Sequence, residues 1–340
     1  MICKKEVLAT LDHCYAVSVI GPEKRAYFAS EECAPCLSFD SRGRDCRTVW
    51  EAPGGTMSMV EIPGSGGDFL AIQNFLPVFR SENAKLVWVH PQPDGSYQIR
   101  DFVSIPFVHR FDLMESGGVV YFVACTLCGG KAFTEDWSQP GKVYVGVMPA
   151  RPEDGISLSV LLEGITRNHG YCGGMLNGRR TGLVTGDEGI FAICPPAAAG
   201  GEWSVRKISD RPTGDAAIVD IDGDGQDEIA TIEPFHGADL AIYKLDGDGL
   251  CREMKRFPGR LTFGHAIWGG QLLGSGAVVC GYRQGDAALF CLRYRDGAFY
   301  EEPIDCGGGP SNIAVVPEDG VIYAANHHAA QAVRYTLAAE

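Results

Sequence analysis

The residues between Asp220 and Glu228 form the most distinctive chemical pattern in the sequence. Carboxylates stand at the first, third, fifth and ninth positions of this stretch, in Asp220, Asp222, Asp224 and Glu228. A glycine at the sixth position allows a sharp turn, and Gln226 at the seventh can offer its backbone carbonyl. Such a loop surrounds a hard divalent cation with oxygen atoms, so the sequence predicts a calcium site here.

The stretch from Ile218 to Ile232, which contains this loop, resembles the FG-GAP or VCBS repeat of β-propellers. The resemblance implies a structural Ca²⁺ in the hairpin between the first two strands of one blade, with no part in chemistry. Its ligands would be Asp220, Asp222, Asp224, Gln226 and Glu228. The stretches at the same place in neighbouring repeats lack the carboxylates, so one such ion is expected.

Histidines supply a second pattern, because six of the eight recur in phase with a repeat. Four are predicted to begin innermost strands and two to lie in loops at the same rim of a central channel: His13, His109, His169 and His265, then His236 and His328. Imidazoles gathered in this way hold a divalent transition metal or transfer protons. The alternative is that each histidine only satisfies backbone groups. We expect His109, His169 and His265 to ligate Zn, Mn, Fe or Ni, and His13, His236 and His328 to act as acid–base groups.

The elements that must position these residues are repeats of about 48 residues. The segments that begin at His169 and His265 match one another and lie 96 residues apart, twice that period. A period of this size is typical of a four-stranded propeller blade, and seven periods account for 336 of the 340 residues. The sequence therefore predicts an all-β, seven-bladed β-propeller as a single domain over residues 1–340. Its blades would start near residues 13, 56, 109, 169, 215, 265 and 311, and strand 2–11 would complete the seventh. Two stacked β-sandwiches are the alternative.

An enlarged loop at 126–142 adds polar and aromatic side chains to the predicted rim. Long loops on a rigid scaffold often cover a binding site. Aromatic rings and guanidinium groups bind sugar rings and carboxylates, and four residues are predicted to do so: Tyr171, Trp268, Arg283 and Trp137. Plain surface loops are the alternative.

Charge and composition exclude several classes of partner. The net charge of −14 disfavours nucleic acid. The longest apolar stretch, 119–128, is too short to span a membrane.

No secretory signal is visible, so a cytoplasmic location is expected, with the 13 cysteines mostly reduced and buried. A shared zinc site or redox pairs at the two Cys-x-x-Cys motifs, Cys33/Cys36 and Cys125/Cys128, remain alternatives. The oligomeric state stays open.

The function predicted from these features is that of a metal-dependent carbohydrate lyase or dehydratase acting by β-elimination on a keto-sugar or short oligosaccharide. The architecture and the histidines resemble those of propeller sugar lyases and dehydratases such as oligogalacturonate lyase and aldos-2-ulose dehydratase. The alternative is a non-catalytic FG-GAP-type propeller that binds a protein or a glycan. No nucleophile elbow, Walker A loop or dinucleotide fingerprint appears in the sequence.

Overall fold

The computed structural model describes residues 2–338, and its regular elements are β-strands apart from two 3-10 helices, Pro152–Asp154 and Pro317–Asp319. Twenty-eight strands form seven four-stranded antiparallel sheets. Met1 and residues 339–340, which the predicted domain includes, lie outside the described residues. The predicted all-β, seven-bladed β-propeller is confirmed.

The chain divides into two compact units. Unit 2 comprises residues 11–169 and 194–204. It contains three sheets whose strands follow chain order. The first is β2 (Cys14–Ile20), β3 (Arg25–Ser30), β4 (Cys36–Phe39) and β5 (Arg47–Trp50). The second is β6 (Met59–Glu61), β7 (Phe69–Gln73), β8 (Lys85–Pro91) and β9 (Tyr97–Ser104). The third is β10 (Val108–Ser116), β11 (Val119–Thr126), β12 (Gly141–Val147) and β13 (Ser159–Ile165).

Unit 1 comprises 2–10, 170–193 and 205–338 of the described chain. Three of its sheets also follow chain order. The first is β14 (Tyr171–Leu176), β15 (Arg179–Gly186), β16 (Gly189–Cys194) and β17 (Ser204–Ser209). The second is β18 (Asp215–Val219), β19 (Glu228–Glu233), β20 (Asp239–Leu245) and β21 (Cys251–Phe257). The third is β22 (Gly264–Leu272), β23 (Ser275–Tyr282), β24 (Leu289–Arg295) and β25 (Ala298–Asp305).

The fourth sheet of unit 1 joins the two ends of the chain. Strand β1 (Ile2–Thr10) pairs with β28 (Gln331–Ala338), followed by β27 (Val321–Asn326) and β26 (Pro310–Val316). The register places Ile2 opposite Ala338. The predicted completion of the seventh blade by the N-terminal strand is therefore confirmed, and the pairing covers an edge that would otherwise be open.

The core of unit 1 lies between successive sheets. Side chains of β18–β20 pack against those of β23 and β24, with Ile232, Leu240 and Phe290 fully buried between them. Every residue of β19 and of β27 is buried, and β19 has a sheet of unit 1 on each face. This burial explains why strict alternation of polar and apolar residues is absent from the sequence.

Candidate functional site

A β-bulge recurs at the start of four innermost strands and determines which side chain is presented there. The pairing register skips one residue in each: Tyr15, His109, His265 and Ser311. The residue two positions earlier has a positive φ in every case: His13, Phe107, Phe263 and Gly309. Bulges redirect a side chain at a strand end and are frequent beside active sites. His109 and His265 thus occupy equivalent positions, whereas His13 stands two residues before the bulge.

In unit 2 the rings of His109 and His169 lie 4.4 Å apart, and each residue is 2% exposed. Nδ1 of His109 lies 3.1 Å from the His169 carbonyl oxygen, which can only accept, so Nδ1 carries the proton. The Tyr15 hydroxyl, 3.1 Å from Nε2, then donates to the remaining lone pair. Because both ring nitrogens have protein partners, His109 fits a positioning role better than the predicted metal ligation. His13 is half-buried, with Nε2 3.7 Å from the Glu32 carboxylate.

In unit 1, His236 and His265 form a second cluster with aromatic rings. The His236 ring stacks between Phe235 and Phe263, with centroids 3.9 and 4.2 Å away, and lies 5.0 Å from the His265 ring. Nδ1 of His265 donates to the Ser311 carbonyl at 2.6 Å. This hydrogen bond fixes the tautomer, so the lone pair of His265 is on Nε2, as in histidines that ligate metals or act as bases.

Arg283 extends this cluster. Its guanidinium lies 5.4 Å from the Phe263 ring centroid, and one of its nitrogens is 2.7 Å from the ring nitrogens of His327. A guanidinium only donates, so in this contact Arg283 is the donor. The sequence assigned a role to His328, which is exposed, and none to its neighbour His327. The only signal for His327 in the sequence is its position beside His328, and this position does not show which of the two side chains turns toward Arg283.

The other predicted substrate-binding side chains lie in different surroundings. Trp268 packs against the apolar core formed by β22–β24 and β27–β28. Tyr171 opens β14 and covers Gly182, where an added Cβ would lie 2.5 Å from the tyrosine hydroxyl. Trp137 lies in the 126–142 loop of unit 2, and the Lys131 ammonium rests 3.3 Å from its ring centroid. One face of the Trp137 ring is therefore covered by Lys131.

The 126–142 loop is itself ordered around Lys131, which is buried. The ammonium donates to the carbonyls of Thr134 and Asp136 at 2.7 and 2.8 Å. Burial lowers the pKa of Lys131 below its ordinary value. Hydrogen bonds from Ser138 and from the Ala132 amide lower the pKa of the Asp136 carboxyl to about 2.

The predicted calcium loop connects β18 and β19. Oxygens of Asp220, Asp222 and Glu228 lie within 4.8 Å of one another. The Asp220 carboxylate accepts the amides of Gly223 and Gly225 at 2.8 and 3.1 Å, so the loop is held by its own first residue. These donors have the chemistry that calcium prefers.

The same oxygens, however, already surround a cation of the chain. The Lys244 ammonium on β20 lies 2.5 Å from Asp224, 3.0 Å from Glu228 and 3.3 Å from Asp222. Three of the carboxylates predicted to ligate Ca²⁺ are therefore arranged around Lys244, and the calcium site stays a prediction.

The cysteines are free thiols. Cys125, Cys128 and Cys36 are buried, and Cys33 is exposed. Burial raises the pKa of Cys125 to about 12 and that of Cys128 to about 11, so both are protonated near neutral pH. Thiol exchange proceeds through the thiolate, so a redox role is not favoured at Cys125 and Cys128.

Comparisons with known proteins show the fold of the chain and nothing beyond it. The chain resembles virginiamycin B lyase from Staphylococcus aureus with 14% identity, 99% coverage of both chains and a TM-score of 0.62. It resembles the Cps50 (Swd1) β-propeller domain of Myceliophteria thermophila with 12% identity, 98% and 100% coverage and a TM-score of 0.63. A chain of a mitotic checkpoint complex shares 8% identity over 99% and 94% of the two chains, with a TM-score of 0.62.

No family model and no curated protein matches the sequence. Residues 2–338 contain no helix of the length and apolar character needed to cross a membrane.

Proposed function

We propose that the chain is a lyase or dehydratase that acts by β-elimination on a keto-sugar or short oligosaccharide, at the histidine cluster of unit 1. The observation that carries this proposal is the pair His236 and His265. One ring is stacked between two phenylalanines, and the other has its tautomer fixed by the Ser311 carbonyl. Such preorganisation is what proton transfer from carbon needs.

In the proposed reaction His236 takes the proton from the carbon beside the substrate carbonyl. The electron pair of that C–H bond forms the new double bond, and the C–O bond at the β-carbon breaks. The proton that His236 has taken up then passes to the departing oxygen. Arg283, 5.4 Å from the centre of the neighbouring Phe263 ring, would orient the substrate through hydrogen bonds from its guanidinium to carbonyl or carboxylate oxygens.

A divalent metal, when bound, would polarise the substrate carbonyl. His265 is the residue of unit 1 best prepared to hold it, since its other nitrogen donates to a backbone carbonyl, as metal-bound histidines commonly do. The similar fold of a protein named a lyase supports the choice of reaction class.

The test is a screen of keto-sugars and short oligosaccharides for enone products, detected by ultraviolet absorbance. We expect His236→Gln and His265→Gln each to lower turnover by about 10²-fold or more, as loss of an acid–base group does. His90→Gln, at a half-exposed histidine of unit 2, is the matched control and should retain full turnover. Saturable sugar or protein binding without any product would instead support the alternative of a binding propeller.

A further inference from the structure

Lys244 is set among the carboxylates of the 220–228 loop by the sheet itself. Strands β19 and β20 pair with Glu228 directly opposite Lys244. The ladder holds the Cβ of Lys244 on the face that carries Glu228, because a register shift would displace the buried side chains of both strands. From that position the side chain reaches the loop, and its ammonium lies 3.0 Å from the Glu228 carboxylate.

The carboxylates need this positive charge. Glu228 is 0% exposed, and its Oε2 accepts the Ile221 amide at 2.9 Å, while Oε1 lies 3.0 Å from the Lys244 ammonium. A buried carboxylate without a counter-charge is costly. Lys244 also contacts the carboxylates of Asp224, which is exposed, and of Asp222, at 2.5 and 3.3 Å.

We propose that Lys244 is the built-in cation of the 220–228 loop, and that it excludes the calcium ion that the sequence pattern implies. Calcium binds at 2.3–2.6 Å from its oxygens, and the ammonium already stands in contact with three of the carboxylates that would supply them. Two cations sharing these oxygens would repel one another strongly. The loop therefore closes without metal, and removing the lysine charge uncovers a calcium site. This inference is independent of the proposed function.

The experiment measures calcium affinity by titration calorimetry, and the melting temperature with calcium or with a chelator. The wild-type protein should show the same melting temperature in both solutions. In Lys244→Met, calcium should raise the melting temperature, and its affinity should increase by about tenfold or more, because a like charge in contact with the site is gone. Lys85→Met, which removes a lysine paired with the single exposed carboxylate of Asp101, should stay insensitive to calcium.

Two results would overturn the proposal. One is wild-type protein that binds calcium as tightly as Lys244→Met; the other is a Lys244→Met protein that folds and gains no calcium affinity. A second measurement covers the case in which the variant does not fold. Acetylation of lysines in the wild-type protein, followed by mass spectrometry, should leave Lys244 equally protected with and without millimolar calcium. Calcium-dependent exposure of Lys244 would show that the metal displaces it, contrary to the proposal.

Discussion

Two lysines of this protein bind oxygen atoms in opposite surroundings. Lys131 in unit 2 donates to two uncharged backbone carbonyls and rests on the Trp137 ring, whereas Lys244 in unit 1 lies among three carboxylates. Burial lowers the pKa of Lys131. Desolvation acts in the same direction on Lys244, but hydrogen bonds to Asp224, Glu228 and Asp222 outweigh it and raise the pKa.

The difference shows what each lysine does. Lys131 orders a loop by donating to the carbonyls of Thr134 and Asp136 and by resting on the Trp137 ring. Lys244 neutralises the buried carboxylate of Glu228, so a positive charge is required at this position. Substitutions that keep the length of the side chain and remove the charge should separate these two roles.

The largest effect is expected for Lys244→Met without calcium. Glu228 would lose the cation beside its buried carboxylate, and loss of one partner of such a pair costs about 3 kcal/mol. We expect the free energy of unfolding, measured by urea denaturation, to fall by about that amount. Adding Glu228→Gln should return part of the loss. A single variant as stable as the wild type would contradict the role of Lys244.

A smaller effect is expected for Lys131→Met. The variant loses two charge-assisted hydrogen bonds and the contact with Trp137, a loss of about 2 kcal/mol. Amide exchange should increase at Ala132 and Ser138, in the same loop. Lys142→Met is the control, because its ammonium meets only the exposed carboxylate of Glu163, 3.6 Å away, and the loop should keep its protection.

Acid should open the Lys131 loop. The pKa of Asp136 is lowered from 3.8 to about 2, so between these values the unfolded loop binds more protons than the folded one. The stabilisation is therefore complete above pH 4 and is lost as the pH falls toward 2. Asp136→Asn should abolish this pH dependence of amide exchange. An unchanged acid profile in the variant would show that another group is responsible.

The smallest effect is expected for Lys85→Met. Lys85 pairs with Asp101 at 2.6 Å, but the Asp101 side chain is 74% exposed. An exposed ion pair contributes about 0.5 kcal/mol or less. Urea denaturation should therefore hardly distinguish this variant from the wild type, whereas a loss equal to that of Lys244→Met would mean that burial of the partner does not decide the energy.

Much of the fold could be predicted because it repeats. The match between the segments at His169 and His265 established the period, and the period predicted seven sheets. Because the last repeat has room for only three strands, it predicted that strand β1 pairs with β28. These are local patterns, since turn residues and apolar runs recur in every blade at a period of about 48 residues.

The candidate site could be predicted only in part. His109 and His265 were recognised by their phase, and both lie at bulges. His13 was placed with them, but the bulge in its strand falls on Tyr15 because the register skip is not encoded by residue type alone. His327 was missed because adjacent histidines are equivalent in a sequence until the turn assigns one of them to Arg283.

By itself the sequence determined the number and kind of the sheets, the position of the carboxylate loop, and which imidazoles recur in phase. These features depend on spacing along the chain. Only the tertiary structure decided that Lys244 enters the loop, that Tyr15 and the His169 carbonyl engage both nitrogens of His109, and that Ser311 fixes the tautomer of His265. The reason is physical: a counter-charge and a proton position depend on atoms a few ångströms away, and packing and strand register bring those atoms from distant parts of the sequence.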